Sequence, residues 1–176
     1  MDLLDFEAES LYFDEPLKQE AQRCIEQAAA SYGTVQAEGL LMRAYFLEPE
    51  HPSVLVALYR YFYYRHQLAD ALLVADRVLR VFAARLGLPG DWRDLNEARF
   101  ASGVLVSMTA LRFYMLALKG AGYLELRLGH LESALGRLRK VAELDANDRL
   151  GAQALIDVVE QELSERDRTD VADVAV

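Results

Sequence analysis

The sequence is poor in cysteine, proline and glycine. Of 176 residues, one is cysteine, four are proline and ten are glycine. A single thiol excludes an internal disulfide and a cysteine-based metal cage. The shortage of turn-forming residues disfavours a β-sandwich and permits long helices. The hydrophobic fraction of 53% is enough for one packed core in a chain of this length.

The residues that usually carry catalysis are also scarce. The three histidines (His51, His66 and His130) lie at predicted turns, and no two of them have the i, i+4 spacing of a helical metal site. Cys24 is expected to be buried, and thiol chemistry is not predicted for it. The glycines of KGAGYL have no preceding strand, so helix contact explains them better than a phosphate loop. We therefore expect no enzyme activity, no catalytic residue, no metal and no cofactor.

A long apolar run and a basic N-terminus are missing as well. The longest apolar stretch, 104–118, is interrupted by Arg112 and is shorter than the roughly 20 residues of a membrane span. The first residues read MDLLDFEAES, whereas a secretory signal needs a basic start and an apolar centre. These features predict a cytoplasmic protein without a membrane partner.

Basic charge is in deficit overall, but not in every segment. The net charge is −9, from 28 acidic and 19 basic residues, which argues against a nucleic-acid partner held by phosphate contacts. Residues 1–50 carry a net charge of −8 and residues 146–176 one of −5, whereas residues 51–145 carry +4. One interpretation is an uneven solvated surface. The other is a basic face for an acidic partner, which the acidic ends of the chain cover when it is empty.

Helical patterns account for nearly the whole chain, and no segment alternates with the period of a strand. Asp14-Glu15-Pro16 predicts the start of a first helix, which Gly33 ends. Further helices are predicted at 34–46, 52–66, 69–85, 94–101, 104–128, 131–144 and 149–164. Residues 1–165 are predicted to form one domain, and residues 166–176 a flexible acidic tail.

An internal repeat relates these helices to each other. In the unit 118–148, Gly122 lies where two helices must touch, and Gly129 makes the tight turn between them. A second unit at 52–85 matches it at a spacing of 63 residues, which aligns Ala71 with Ala134 and His66 with Gly129. A third and weaker unit precedes them from residue 17 to His51. Repeated helix pairs of this kind usually recur about every 34 residues. The longer spacing of 63 residues therefore predicts an insertion at about 86–114.

These units resemble the tetratricopeptide repeat, with Asp145-Ala146-Asn147 where that family usually has Asp-Pro-Asn. The resemblance covers residues 17 to about 165. It implies an all-α fold, a right-handed stack of antiparallel helix pairs forming an α-solenoid of about three repeats with a capping helix. The insertion would cap the stack or fill its groove.

The resemblance also implies which residues line the concave surface, because the first helix of each pair lines it in this family. The predicted partner-binding residues are Arg60, Tyr63, Tyr64, Lys119, Tyr123 and Arg127. Val56, Leu116 and Leu126 are predicted to lie beside them. Helical spacing places the first three on one face, and the last three on another. Such a basic, tyrosine-rich groove predicts an adaptor or assembly chaperone that binds an acidic segment of another protein.

Two alternatives stay open for the aromatic run 59–64. In one, the tyrosines pack on the insertion, which offers Trp92, Phe100 and Phe113; in the other, they mediate self-association as a homodimer. Binding of chaperone tails is not predicted, because Val56 and Arg60 replace the Lys and Asn pattern of those family members. The segments DWRDL and LKGAGYLELRLG resemble small repeat proteins encoded near nitrogen-fixation genes, which implies an accessory role in nitrogenase or metalloenzyme maturation.

Overall fold

Helices form most of the described chain, as the sequence predicts. The computed structural model describes the backbone of residues 15–174, and the side chains within it except those of residues 167 and 169–174. These residues contain eight α-helices, one short 3-10 turn (Trp92–Asp94) and no β-strand. The α-helices are α1 (Gln19–Ala30), α2 (Val35–Leu47), α3 (Pro52–Tyr64), α4 (Leu68–Leu86), α5 (Glu97–Val106), α6 (Met108–Leu128), α7 (Leu131–Leu144) and α8 (Gln153–Val174).

Each helix packs on its neighbours in chain order. α1 contacts α2, α2 contacts α3, and α3 contacts α4; α4 then packs on α6, α6 on α7, and α7 on α8. A continuous apolar core runs from α1 to α7, and a smaller cluster around Leu138 and Val159 joins α7 to α8. α5 and the 3-10 turn are added beside this series, since α5 contacts α4 and α6 while the 3-10 turn contacts α7. The insertion predicted at 86–114 therefore contains α5, the 3-10 turn and the start of α6.

α6 and α7 approach each other closely at Gly122. A Cβ atom at this position would lie 2.9 Å from Cγ of Leu138 and 3.4 Å from the carbonyl oxygen of Ala134. Leu138 and Ala134 are fully buried. The contact that the repeat pattern predicts at Gly122 is therefore present.

The α3–α4 and α6–α7 turns have the same backbone geometry. His66 has a φ angle of 58° and Gly129 one of 79°, so both are left-handed. In each turn the next residue (Gln67 or His130) donates its backbone N–H to the carbonyl five residues earlier, at 2.9 Å. This is the Schellman motif, which normally favours glycine at the left-handed position. The alignment of His66 with Gly129 is thus confirmed in the backbone.

His66→Gly is expected to raise the free energy of unfolding by about 0.5–1 kcal/mol. A left-handed backbone costs a residue with a Cβ atom about 1–2 kcal/mol of folding free energy, and glycine avoids this cost. Part of the gain in stability is offset because glycine makes the unfolded chain more flexible. The side chain of His66 is exposed, so little packing is lost. Gly129→Ala should have the opposite sign and lower stability by about 1 kcal/mol. Urea denaturation of both variants would contradict this interpretation if the two changes had the same sign.

The first helix begins later than predicted. α1 starts at Gln19 instead of at Pro16, and Asp14, the predicted cap, lies outside the described residues. Contacts to the rest of the protein hold the preceding chain away from a helix. The Glu15 carboxylate pairs with Nη1 of Arg85 at 2.7 Å. The Glu15 carbonyl lies 3.1 Å from Nε2 of His51.

The predicted boundaries of three later helices were wrong. α5 runs over Glu97–Val106 instead of 94–101. The chain breaks at Ser107 instead of continuing from 104, because the Ser107 hydroxyl accepts a hydrogen bond from the Ala110 N–H and so caps a new helix. α8 starts at Gln153 instead of at Arg149, after left-handed turns at Asp148 and Gly151. α8 also extends beyond the predicted end at 164, to Val174. The flexibility of residues 166–176 stays a prediction.

Candidate protein-interaction surface

α3 and α6 carry a continuous set of tyrosines across their interface. Tyr59 is fully buried in α3, and its hydroxyl would lie 3.0 Å from a Cβ atom at Gly120 of α6. Gly120 therefore leaves room for Tyr59 to reach α6. The ring of Tyr63 stacks on that of Tyr59, with centroids 6.2 Å apart and an interplanar angle of 16°. The buried tyrosine thus supports a half-buried one, one turn further along α3.

Tyr63 connects the two helices at the surface. Its ring centroid is 6.3 Å from that of Tyr123 in α6, and its hydroxyl donates to the Tyr123 hydroxyl at 3.4 Å. The ring of Tyr64 packs edge-on against Tyr63, with centroids 5.5 Å apart, and Tyr64 is 57% exposed. A residue of this size at that exposure offers apolar area and a hydroxyl to a partner.

Arg127 extends the set of side chains by one turn of α6. Its Nη1 donates to the Tyr123 hydroxyl at 2.9 Å, and its guanidinium carbon lies 5.8 Å from the centre of the Tyr123 ring. The hydrogen bond to Tyr123 is the main reason that the pKa of Arg127 lies above its ordinary value. Arg127 is exposed, so a permanent positive charge stands beside the tyrosines in a defined orientation.

The predicted site residues divide into two groups in the structure. Tyr63, Tyr64, Tyr123 and Arg127 come together, and half-buried Arg60 shares their face of α3 by helical spacing. We call these five residues the tyrosine–arginine surface. Lys119 does not join them, because it is only 7% exposed and its Nζ would lie 4.0 Å from a Cβ atom at Gly151. The structure therefore buries Lys119 instead of placing it on an open groove.

Two of the other predicted lining residues are also buried. Val56 is 1% exposed and Leu116 is 3% exposed, so both belong to the core. Leu126 is partly buried and packs on the cluster between α7 and α8.

The aromatic residues of the insertion pack on other helices. Trp92 lies against α7, where a Cβ atom at Gly136 would be 3.4 Å from the indole ring. Phe113 meets Phe82 of α4, with ring centroids 4.7 Å apart. Lys140 of α7 also contacts the insertion, because its Nζ donates to the Leu95 carbonyl at 2.8 Å. The ring contact of Tyr63 across the helix interface is instead with Tyr123.

The aromatic run 59–64 is therefore divided between core and surface. Tyr59, Tyr61 and Phe62 are buried in the core. Only Tyr63 and Tyr64 remain at the surface, half-buried and exposed respectively. Packing within the core accounts for the first three residues, whereas Tyr63 and Tyr64 keep part of their surface exposed.

A buried ion pair, which the sequence reasoning missed, links α6 to α7. Arg137 donates through Nε to Glu125 at 3.0 Å and through Nη1 to Asp76 of α4 at 2.8 Å. Its guanidinium also lies 5.5 Å from the centre of the Trp92 ring. Desolvation raises the pKa of Glu125 above its ordinary value, although Arg137 opposes this shift. Asp76 is 61 residues from Arg137 in sequence, so no local pattern indicates the contact.

The histidines and the cysteine occupy structural positions. His51 is buried at the start of α3, where its Nδ1 accepts a hydrogen bond from the Ser53 N–H. Cys24 is buried in α1, as predicted. Among the residues that the structure describes, no three His, Cys, Asp or Glu side chains converge in a way that would hold a metal ion. None of the helices within residues 15–174 combines the length and apolar composition needed to cross a membrane.

The fold and the surface define an all-helical protein that presents tyrosines and an arginine across two adjacent helices. The chain is 44% identical over 165 residues to the "Uncharacterized 19.8 kDa protein in nifW 5'region" of Azotobacter chroococcum mcd 1. The match covers 94% of this chain and 92% of that protein, so the chain belongs to the family of that protein. No family model matches the chain, and the tetratricopeptide resemblance has no support from that comparison. No solved structure matches it either.

Proposed function

We propose that this protein is a non-enzymatic interaction module that binds an acidic segment of another protein on the tyrosine–arginine surface. The observation that carries the proposal is the convergence of Tyr63, Tyr64, Tyr123 and Arg127 across α3 and α6. Tyrosine and arginine are the residue types that most often dominate binding energy at protein interfaces, together with tryptophan. The surface combines them on two rigid helices.

The chemistry of the surface favours a carboxylate next to an aromatic or aliphatic side chain. Arg127 carries five N–H donors in one plane and can bind a carboxylate through two of them. Its contact with Tyr123 holds the guanidinium in place before a partner arrives, which reduces the entropy lost on binding. Tyr64 lies next to this charge through Tyr63 and offers an exposed ring to an apolar anchor.

We infer further that the helix pairs are stacked as in tetratricopeptide repeats. Equivalent positions 63 residues apart support this inference, since Ala71 and Ala134 are both fully buried and His66 and Gly129 make the same turn. The contact of α4 with α6, beside the α3–α4 and α6–α7 pairs, is what neighbouring repeats require. In that arrangement α3 and α6 are the first helices of adjacent pairs, and the tyrosine–arginine surface lies on the concave side.

Charge reversal at Arg60 and Arg127 together is expected to weaken partner binding by about tenfold or more. The measurement is cross-linked capture from a lysate of nitrogen-fixing cells, followed by titration of the recovered partner at two salt concentrations. Binding to the variant should also depend less on salt, because two favourable charges are lost. The matched control reverses Arg43 and Arg139, which are exposed elsewhere and change the net charge equally. Equal affinity of the two double variants would refute the proposed site.

Self-association through the same face is the alternative. In that case the Tyr63→Ala/Tyr64→Ala variant should lose a dimer that light scattering detects in the parent protein at increasing concentration. A parent protein that stays monomeric over this range, while it still binds the captured partner, would favour the adaptor.

The relative's position near nifW supports the second candidate role. Its name places that protein in the 5′ region of nifW, and the segments DWRDL and LKGAGYLELRLG of this chain point to the same group of proteins. We propose an accessory role in nitrogenase or metalloenzyme maturation. The capture experiment above also tests it, because the partner recovered from nitrogen-fixing cells should then belong to that process.

A further inference from the structure

The second helix, α2, is apolar on the face that it turns away from the core as well as on the face that it buries. Its buried residues are Ala37, Leu41 and Ala44. The opposite face carries Val35, Gly39, Met42 and Phe46, which we call the α2 stripe. Val35 is 90% exposed and Phe46 is 80% exposed. Large apolar side chains that are exposed together on one face mark interaction sites.

The spacing within the α2 stripe is that of a seam between two helices. Its members follow each other after four, three and four residues, as the a and d positions of a heptad do. The charged residues Glu38 and Arg43 lie at the two edges of the stripe, where they stay in water when its centre is covered. A helix that is apolar on both faces is typical of one that is covered on both. The α2 stripe therefore fits a second helix.

Gly39 leaves a gap in the middle of this seam. A Cβ atom at Gly39 would have no atom of another described segment within 4 Å. The repeat relates Gly39 to Gly136 of α7, since each lies two residues after an equivalent, fully buried alanine (Ala37 and Ala134). At Gly136 the corresponding gap is filled, because a Cβ atom there would lie 3.4 Å from the indole of Trp92. A large side chain from elsewhere can therefore pack at this position of the repeat.

The α2 stripe is complementary to itself. When two helices pack antiparallel through heptad seams, a position of one meets a position d of the other. A two-fold axis at the middle of α2 therefore places Met42 on Gly39 of the second copy, and Phe46 on Val35 of the second copy. Each contact occurs twice, and all four residues of the stripe take part. A symmetric dimer requires this kind of self-complementary patch.

The size of the α2 stripe fits a reversible dimer. With its edges it offers on the order of 400–600 Å² per copy, less than the roughly 800 Å² that each partner buries in a stable complex. We therefore expect a Kd on the order of 10–100 μM. Two copies with a net charge of −9 each repel one another, while the stripe itself carries no charge. Added salt screens this repulsion and should strengthen the dimer.

We propose that two copies of this chain form a weak symmetric dimer in which α2 packs antiparallel on α2 through the α2 stripe. The interface is distinct from the tyrosine–arginine surface, which lies on α3 and α6. The inference is therefore independent of the proposed function, and either can fail without the other.

The test is sedimentation velocity of the full chain at concentrations from about 1 to 500 μM, a range that brackets the expected Kd. Phe46→Ser should raise the Kd about tenfold or more, because it removes the largest side chain of the seam. Gly39→Gln should do the same by filling the gap with a polar side chain. Neither change is expected to unfold the monomer, since Phe46 is exposed and glutamine is a better helix former than glycine.

Two controls separate the α2 stripe from other exposed surfaces. Leu73→Ser changes a residue that is 65% exposed on α4, at the position of the repeat equivalent to Gly39, and should leave the Kd unchanged. Tyr63→Ala/Tyr64→Ala should leave it unchanged as well, because these residues belong to the tyrosine–arginine surface. Urea denaturation at a concentration below the Kd checks that each variant is folded.

A dimer that salt strengthens, and that only Phe46→Ser and Gly39→Gln weaken, supports the proposal. A parent protein that stays monomeric up to the highest concentration would overturn it. A dimer that survives both α2 substitutions unchanged would also overturn it. Loss of the dimer in the Tyr63→Ala/Tyr64→Ala variant alone would assign self-association to the tyrosine–arginine surface instead.

Discussion

Arg137→Met is expected to lower the free energy of unfolding by about 3–5 kcal/mol at neutral pH, the range for breaking one side of a buried ion pair. Arg137 and Glu125 are 8% and 7% exposed, so Glu125 would be left as a buried charge without its guanidinium partner. The contact of the guanidinium with Trp92 would be lost at the same time. Trp92 is the sole tryptophan of the chain, so its fluorescence in a urea titration reports both unfolding and the docking of the insertion on α7.

The destabilisation by Arg137→Met should become smaller as the pH falls. Desolvation already raises the pKa of Glu125 above its ordinary value of 4.5, and Arg137 is the main opposing influence. Without Arg137 the folded-state pKa of Glu125 rises further, and the folded protein binds this proton more tightly than the unfolded chain does. Stability is then gained as pH falls through the raised pKa. Urea titrations of parent and variant at pH 7.5 and pH 5 measure the difference.

Two controls separate the ion pair from general effects of the substitution. Arg139→Met removes an exposed arginine of the same helix, whose pair with Glu160 is solvated, and should change stability by less than about 1 kcal/mol. The double variant Arg137→Met/Glu125→Met removes both charges and should recover much of the loss, since apolar pairs replace buried ion pairs at little cost. A double variant less stable than Arg137→Met would show that charge burial is not the cause.

Gly122→Ala is expected to destabilise the protein by about 1–3 kcal/mol, the range for overpacking a filled core. The added Cβ atom would lie 2.9 Å from Cγ of Leu138, a distance that forces α6 and α7 apart or displaces a fully buried leucine. Alanine is a better helix former than glycine by about 0.8–1.0 kcal/mol, so the measured loss is what remains after that gain.

The same substitution at Gly39 should have the opposite sign. Gly39 lies inside α2, and a Cβ atom there would meet nothing within 4 Å. Gly39→Ala is therefore expected to raise stability by about 0.5–1 kcal/mol through helix propensity alone. Thermal or urea denaturation of the two alanine variants compares them directly. A stabilising Gly122→Ala would contradict the close contact between α6 and α7.

Local sequence signals predicted the helices well where caps and periodicity agree. α7 was predicted at 131–144 and is observed at Leu131–Leu144, after the left-handed turn at Gly129. The prediction failed where a single polar side chain decides a boundary. The Ser107 hydroxyl starts α6 inside an apolar run that otherwise reads as continuous. The Asp148 carboxylate accepts hydrogen bonds from the N–H groups of Ala152 and Gln153, and α8 accordingly starts at Gln153 instead of at Arg149.

Helical spacing predicted part of the candidate site and missed the rest. It placed Tyr63 and Tyr64 with Arg60 on one face of α3, because residues three and four apart are always neighbours on a helix. It also grouped Lys119 with Tyr123 and Arg127, and here the structure differs. Spacing shows which residues share a face, but only packing shows which part of that face another segment covers. Lys119 is buried although it shares that face of α6.

Local patterns are enough to establish the helical class of this protein, the spacing of 63 residues between equivalent positions, and the small residues where helices meet. These features are local or repeated, so they can be read without knowing what lies opposite. The tertiary structure decided which tyrosines remain at the surface, where the insertion docks, and that Arg137 pairs with Glu125 and Asp76. Each of these depends on side chains from different helices meeting in space. The hydrogen bond between Tyr63 and Tyr123, for example, joins residues 60 apart in the chain.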